Sequence, residues 1–120
     1  MSIKNFLDIQ PVEEICHDGK GKIKIVNIFD SELAEPLNFV HYTVLPPGTS
    51  IGSHTHGNNQ ELYIILEGSG VTELDGMKSP VKKGDVLLNK PFGIHSLYNT
   101  SDSDELKILV MEVNIRDSMG

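Results

Sequence analysis

Short apolar or alternating runs, broken by glycine, proline, asparagine and aspartate, recur along almost the whole chain. This patterning predicts many short strands arranged as a sandwich or barrel, in a nearly all-β fold. Val12 to Cys16 and Lys22 to Phe29 read as two strands joined across Asp18-Gly19, a dipeptide that favours the left-handed dihedrals of a tight hairpin. Asp30 to Pro36 reads as a loop or a single helical turn. Phe39 to Leu45 is a strand stopped by Pro46-Pro47-Gly48, where missing N–H donors and a flexible glycine end the ladder. Gly70 to Leu74 and Met77 to Val81 flank Asp75-Gly76, a second hairpin signal. Asp85 to Asn89, His95 to Asn99 and Leu106 to Ile115 complete the set. The last of these is apolar on both faces, which predicts a central strand.

A chain of 120 residues suits one domain spanning residues 1–120 with a single buried core. The formal net charge of −7, with scattered basic residues, gives no basic field, so nucleic acid is excluded as an expected partner. One cysteine, Cys16, allows no internal disulfide and fits a reduced, cytoplasmic setting. No apolar run approaches the roughly 18 residues of a membrane span. Asp8 interrupts the amino terminus before a signal-peptide core can form, so neither membrane insertion nor export is expected.

The chemistry concentrates between Gly48 and Gly68. His54 and His56 are two apart, so on a strand they share a face, roughly 6.5 to 7 Å apart along the backbone. The turn-forming Gly57-Asn58-Asn59 folds the chain back, and antiparallel pairing of the next strand would bring Glu61 beside the histidines. His95, opening a strand after Lys90-Pro91-Phe92-Gly93, is the candidate fourth ligand.

At these residues the sequence resembles the cupin superfamily, whose first motif is G(X)5HXH(X)3-4E(X)6G. Gly48, His54, His56, Glu61 and Gly68 meet every position of it (motif 48–68). The second motif, G(X)5PXG(X)2H(X)3N, is met at Gly84, His95 and Asn99 (motif 84–99), while Pro91 and Gly93 each fall one position late. The resemblance implies a single jelly-roll β-barrel of antiparallel strands with one divalent transition-metal ion held by His54, His56, Glu61 and His95. Such a nitrogen and oxygen donor set suits iron, manganese, cobalt, nickel or zinc, with iron or manganese slightly favoured by the carboxylate. The ligands bind deprotonated, so metal is expected to leave as pH falls below the ordinary histidine value of about 6.5. The resemblance to small cupins also implies a homodimer.

Tyr63 shares the parity of Glu61 and is the one catalytic candidate, as a proton donor; a barrel-core aromatic fits the same position. Gln60 should face outward, and parity places Glu67 and Glu73 on the Glu61 face. His41 and Tyr42 take opposite faces of one strand whose two faces are both apolar, so their directions stay open. Tyr98 should lie at an exterior or interface, and Phe92 on a loop over the core end or at a pocket rim. The only arginine, Arg116, stands beyond the last strand, which argues against phosphosugars and for a small-molecule ligand that is neutral or bound through the metal. Two functions follow: a metalloenzyme with dioxygenase-, isomerase- or decarboxylase-type chemistry, or a non-catalytic module that captures or senses a small ligand.

Overall fold

The computed structural model describes residues 1–55 and 57–115. After a 3₁₀ turn at Phe6–Asp8, ten strands follow among these residues: β1 (Val12–Glu14), β2 (Ile23–Phe29), β3 (Leu37–Leu45), β4 (Ser50–Thr55), β5 (Asn59–Glu67), β6 (Ser69–Leu74), β7 (Met77–Lys82), β8 (Val86–Asn89), β9 (Ile94–Tyr98) and β10 (Leu106–Asn114). They form two antiparallel sheets, one of six strands in the order β1-β2-β3-β10-β5-β8 and one of four in the order β4-β9-β6-β7. The fold is the expected all-β jelly roll. β10 sits between β3 and β5 as its two apolar faces predict: Ile108 and Val110 turn into the main core, and Leu109 packs on the opposite face.

The inner faces of both sheets share that core. Ile23, Leu45, Ile65, Leu106 and Ile108 from the six-stranded sheet meet Leu97 from the four-stranded one, all six fully buried. Each contributes about 1.5–3 kcal/mol relative to exposure. A second cluster, Val26, Ile28, Tyr42 and Val44, lies on the outer face of the larger sheet under Phe6 and Ile9. The Phe6 and Tyr42 rings are 4.3 Å apart, so the amino-terminal segment caps that face.

Asp75-Gly76 makes the expected two-residue hairpin, with φ of 50° and 84° and Leu74 paired to Met77. The first hairpin differs from expectation. Its left-handed residues are His17 and Asp18 (φ 51° and 55°), closed by Gly19 N–H donating to the Cys16 carbonyl at 2.9 Å, and β1 stops at Glu14. Gly19 is needed instead for close approach. A Cβ there would lie 2.2 Å from the Ser50 carbonyl oxygen, because the loop packs backbone to backbone on β4. Gly52, across the contact, would place a Cβ 2.0 Å from the His17 carbonyl oxygen.

Two further expectations are corrected. β4 and β5 do not pair: they lie in opposite sheets, so the chain crosses between layers at the turn before Glu61 instead of folding back in one ladder. Neither Glu67 nor Glu73 shares the Glu61 environment. A register shift where β10 meets Glu67 turns that side chain to the surface, 3.3 Å from Lys107 Nζ, and Glu73 follows a turn that resets parity and faces outward.

Candidate metal centre

His54 and His95 are register partners on β4 and β9. That pairing depends on a bulge: Ile51 pairs with Leu97 and His54 with His95, so β4 spends one residue more than β9 between the two pairs. Plain alternation from buried Ile51 would turn Ser53 inward and His54 outward; the bulge reverses both, and Ser53 is exposed. The His54 ring is then held on two sides. Its Nδ1 lies 2.8 Å from the Gly52 carbonyl oxygen, which can only accept, so Nδ1 carries the proton and the lone pair sits on Nε2. His17 stacks on its face, ring centroids 3.6 Å apart and 11° from parallel.

Glu61 reaches the same place from the other sheet. It is buried on β5, and its Oε1 lies 3.8 Å from His95 Nε2. One ligand atom from each of His54, Glu61 and His95 falls within 4.8 Å of the others, so the three can hold a metal ion. Two imidazoles with one buried carboxylate fit a divalent transition ion, and a cation there offsets the cost of burying Glu61. His56, the remaining expected ligand, lies outside the described residues, as does Arg116.

Two half-open spaces adjoin these residues. One, of about 140 Å³, is lined by Cys16, Phe39, His41, Glu61 and Tyr63 among others. The other, of about 150 Å³, lies on the His95 side, between β8 and the start of β9. A larger concavity, about 550 Å³, is a groove lined by Lys20, Glu73, Lys78 and Tyr98. None of His54, Glu61 and His95 lines it. Tyr98 is exterior, as expected.

His41 points inward, stacked on Phe39 with centroids 4.0 Å apart, while Tyr42 points out. Burial pushes the His41 pKa down against the opposing pull of Asp30, Glu112 and Glu14, which favours a neutral imidazole in the cavity. Tyr63 is buried with its ring edge-on to His95 at 5.5 Å. Burial holds its phenol well above the usual tyrosine range, and the charge of Glu61 and a hydrogen bond to it add to the effect. The phenol therefore keeps its proton. His17 was not legible as a site residue, since no spacing in the sequence links its loop to β4.

Cys16 also lines the first cavity. Burial, then the charges of Glu14 and Glu61, push its thiol up to about 11, so in the metal-free protein it stays protonated at neutral pH. In metal-free protein, alkylation at pH 8 should run roughly a hundredfold slower than for a free cysteine. The unfolded chain ionises this thiol at a lower pH than the folded one. The stability it contributes is thus present below about pH 9 and lost as pH rises toward about 11. Alkylation at the free-cysteine rate would contradict this.

The family model for the cupin domain matches residues 41–112. The chain belongs to the cupin family. A Thermotoga maritima relative, named an oxalate-binding protein, is 34% identical over 87 residues, covering 72% of each chain. A Bradyrhizobium 5-nitrosalicylic acid 1,2-dioxygenase is 30% identical over 95 residues; these are 79% of this cupin but only 42% of that enzyme. Among solved structures, a predicted oxalate decarboxylase from Thermotoga maritima superposes with a TM-score of 0.91 at 28% identity, covering 95% of this cupin and all of that chain.

The late Pro91 and Gly93 of the second cupin motif have a structural cause. Gly93 N–H closes a turn onto the Lys90 carbonyl at 3.1 Å, with Pro91 at its first corner and Phe92 at φ 60° at its second. That turn takes up the displaced residues, and His95 keeps its register with His54. Phe92 is 69% exposed and its N–H donates to the Gly57 carbonyl, so it sits on the rim without covering the core.

Proposed function

We propose that this cupin is a metal-dependent enzyme acting on a small organic molecule, with residues 1–120 as one domain and His54, His56, Glu61 and His95 as ligands. The carrying observation is the pre-oriented Nε2 of His54 beside buried Glu61, His95 and a Tyr63 that keeps its proton. A divalent ion, iron or manganese ahead of zinc, nickel or cobalt, would supply Lewis acidity to a substrate oxygen. Tyr63 holds a proton at its hydroxyl oxygen for delivery to that substrate. Phe39 and Val110 keep bulk water from the cavity, and neutral His41 offers it a polar wall. The dioxygenase and the predicted decarboxylase among the relatives support this class of chemistry.

The second reading, a non-catalytic module for capturing a small ligand, is favoured by the Thermotoga protein named for binding oxalate. The two are separated by metal analysis of wild type and a His54→Ala/His95→Ala variant, followed by oxygen-uptake and turnover assays on small phenols, diketones, thiols and oxalate. Stoichiometric metal in the wild type, with turnover lost in the variant, is expected. Tight ligand binding without turnover by the metal-loaded wild type would leave only the second reading.

We also take the protein to be a cytoplasmic homodimer that does not bind nucleic acid, in keeping with its acidic charge and single cysteine. No helix among the described residues is long and apolar enough to cross a membrane. Support for the dimer comes from the outer face of the six-stranded sheet. Tyr42, Leu109, Ile64 and Val86 form one cross-strand row and Val40, Met111, Leu62 and Leu88 the next. Val86 and Leu88 are 60% and 46% exposed, and a second copy would cover them. The expected light-scattering mass is twice the 13.2 kDa chain; a mass of one chain would overturn the dimer.

A further inference from the structure

Asn89 closes β8 with its side chain turned inward, directly across the ladder from Glu61. It is only 2% exposed, and it lines the cavity of about 150 Å³ together with Leu74, Ile94, His95 and the oppositely charged Asp75 and Lys90. Among the described residues, neither its Nδ2 nor its Oδ1 has a hydrogen-bond partner. The rest of β8 is Val86-Leu87-Leu88, so an apolar residue would suit the strand, and a buried amide with both ends unmade is costly. The amide is a donor and an acceptor side by side. A ligand engaged at one end by the His54, Glu61 and His95 group would meet it with the other.

We propose that Asn89 reads the free end of the ligand, and that the site takes a small acid bearing a carboxamide in preference to a fully ionised dicarboxylate. This rests on the metal-site reading above. A carboxamide pairs head to head with Asn89: its carbonyl accepts from Nδ2, and its N–H donates to Oδ1. A carboxylate has acceptors only. It can satisfy Nδ2, but it leaves Oδ1 facing another oxygen, an arrangement that lowers affinity and so discriminates between the two ligands.

Oxamate and oxalate are the matched probes, since they differ by one amide in place of one carboxylate. Each is titrated calorimetrically into manganese-loaded wild type, Asn89→Leu and Asn89→Ala, with metal content measured on the same samples. Oxamate should bind at least tenfold more weakly to both variants, while oxalate changes by less than threefold. The metal-free Asn89→Leu protein should melt no lower than wild type, because no bond is lost. Equal effects on both ligands, no effect on oxamate, no oxamate binding by loaded wild type, or a lowered melting temperature would each overturn the assignment. A wild type that takes up no stoichiometric manganese sinks the metal reading itself. One that holds manganese but ignores Asn89 sinks only this inference.

Discussion

His95→Ala is expected to strip stoichiometric metal from the protein, weakening divalent-ion binding by roughly a hundredfold or more. Even loss of a residue that merely supports a ligand costs about 10- to 100-fold in affinity, and His95 is proposed as a ligand itself. It is almost fully buried, pairs with His54 across the β4–β9 ladder and lies 3.8 Å from Glu61, so its loss removes one of the three clustered ligand atoms. Metal analysis after dialysis, with circular dichroism to show that the sheets survive, is the measurement. Tyr98→Ala, on the outer face of the same strand, should keep its metal. One ion per chain retained by His95→Ala would remove that residue from the ligand set.

The second large effect is expected far from any titratable group. Gly52→Ala would put a methyl 2.0 Å from the His17 carbonyl oxygen and 2.8 Å from the Gly19 nitrogen, both backbone atoms that no rotamer change can move. The loop must then lift from β4. That strains the Gly52 N–H bond to the Cys16 carbonyl (3.1 Å), the Ser50 N–H bond to the Lys20 carbonyl (2.9 Å) and the Lys20 N–H bond to Ser50 Oγ (2.8 Å). A loss of about 3 kcal/mol in stability is expected, at the upper end for overpacking. Metal affinity should fall about tenfold as well, because His17 leaves the face of His54 and the Gly52 carbonyl shifts under Nδ1. A thermal melt unchanged from wild type would show that the loop contact is slack.

What could be read from the chain was whatever depends on neighbours in sequence. The Asp75-Gly76 hairpin, the stop after Leu45 and the central place of β10 all follow from turn dihedrals and side-chain alternation, which act over a few residues. The same alternation was silent where the chain changes layer. Glu61 was expected beside the histidines through strand pairing; it arrives there from the opposite sheet, and the spacing is the same in both cases. His54 points inward only because of a bulge, and the residue that props it, His17, comes from a loop joined to β4 by backbone contacts. His41 stayed ambiguous because apolar neighbours on both faces of β3 reflect two separate hydrophobic clusters, one inside the roll and one under Phe6.

The division of the donors between layers bears on more than ligand geometry. His54 and His95 belong to the four-stranded sheet and Glu61 to the six-stranded one, and these sheets share no ladder. An ion bound by all three would act as a rivet through the sandwich, so its affinity is also resistance to the layers parting. At a hundred times its dissociation constant that amounts to about 2.7 kcal/mol, available only while metal is supplied. The lifetime of this protein would then follow the metal supply of its surroundings, and starvation for that metal would remove the protein itself as well as its activity.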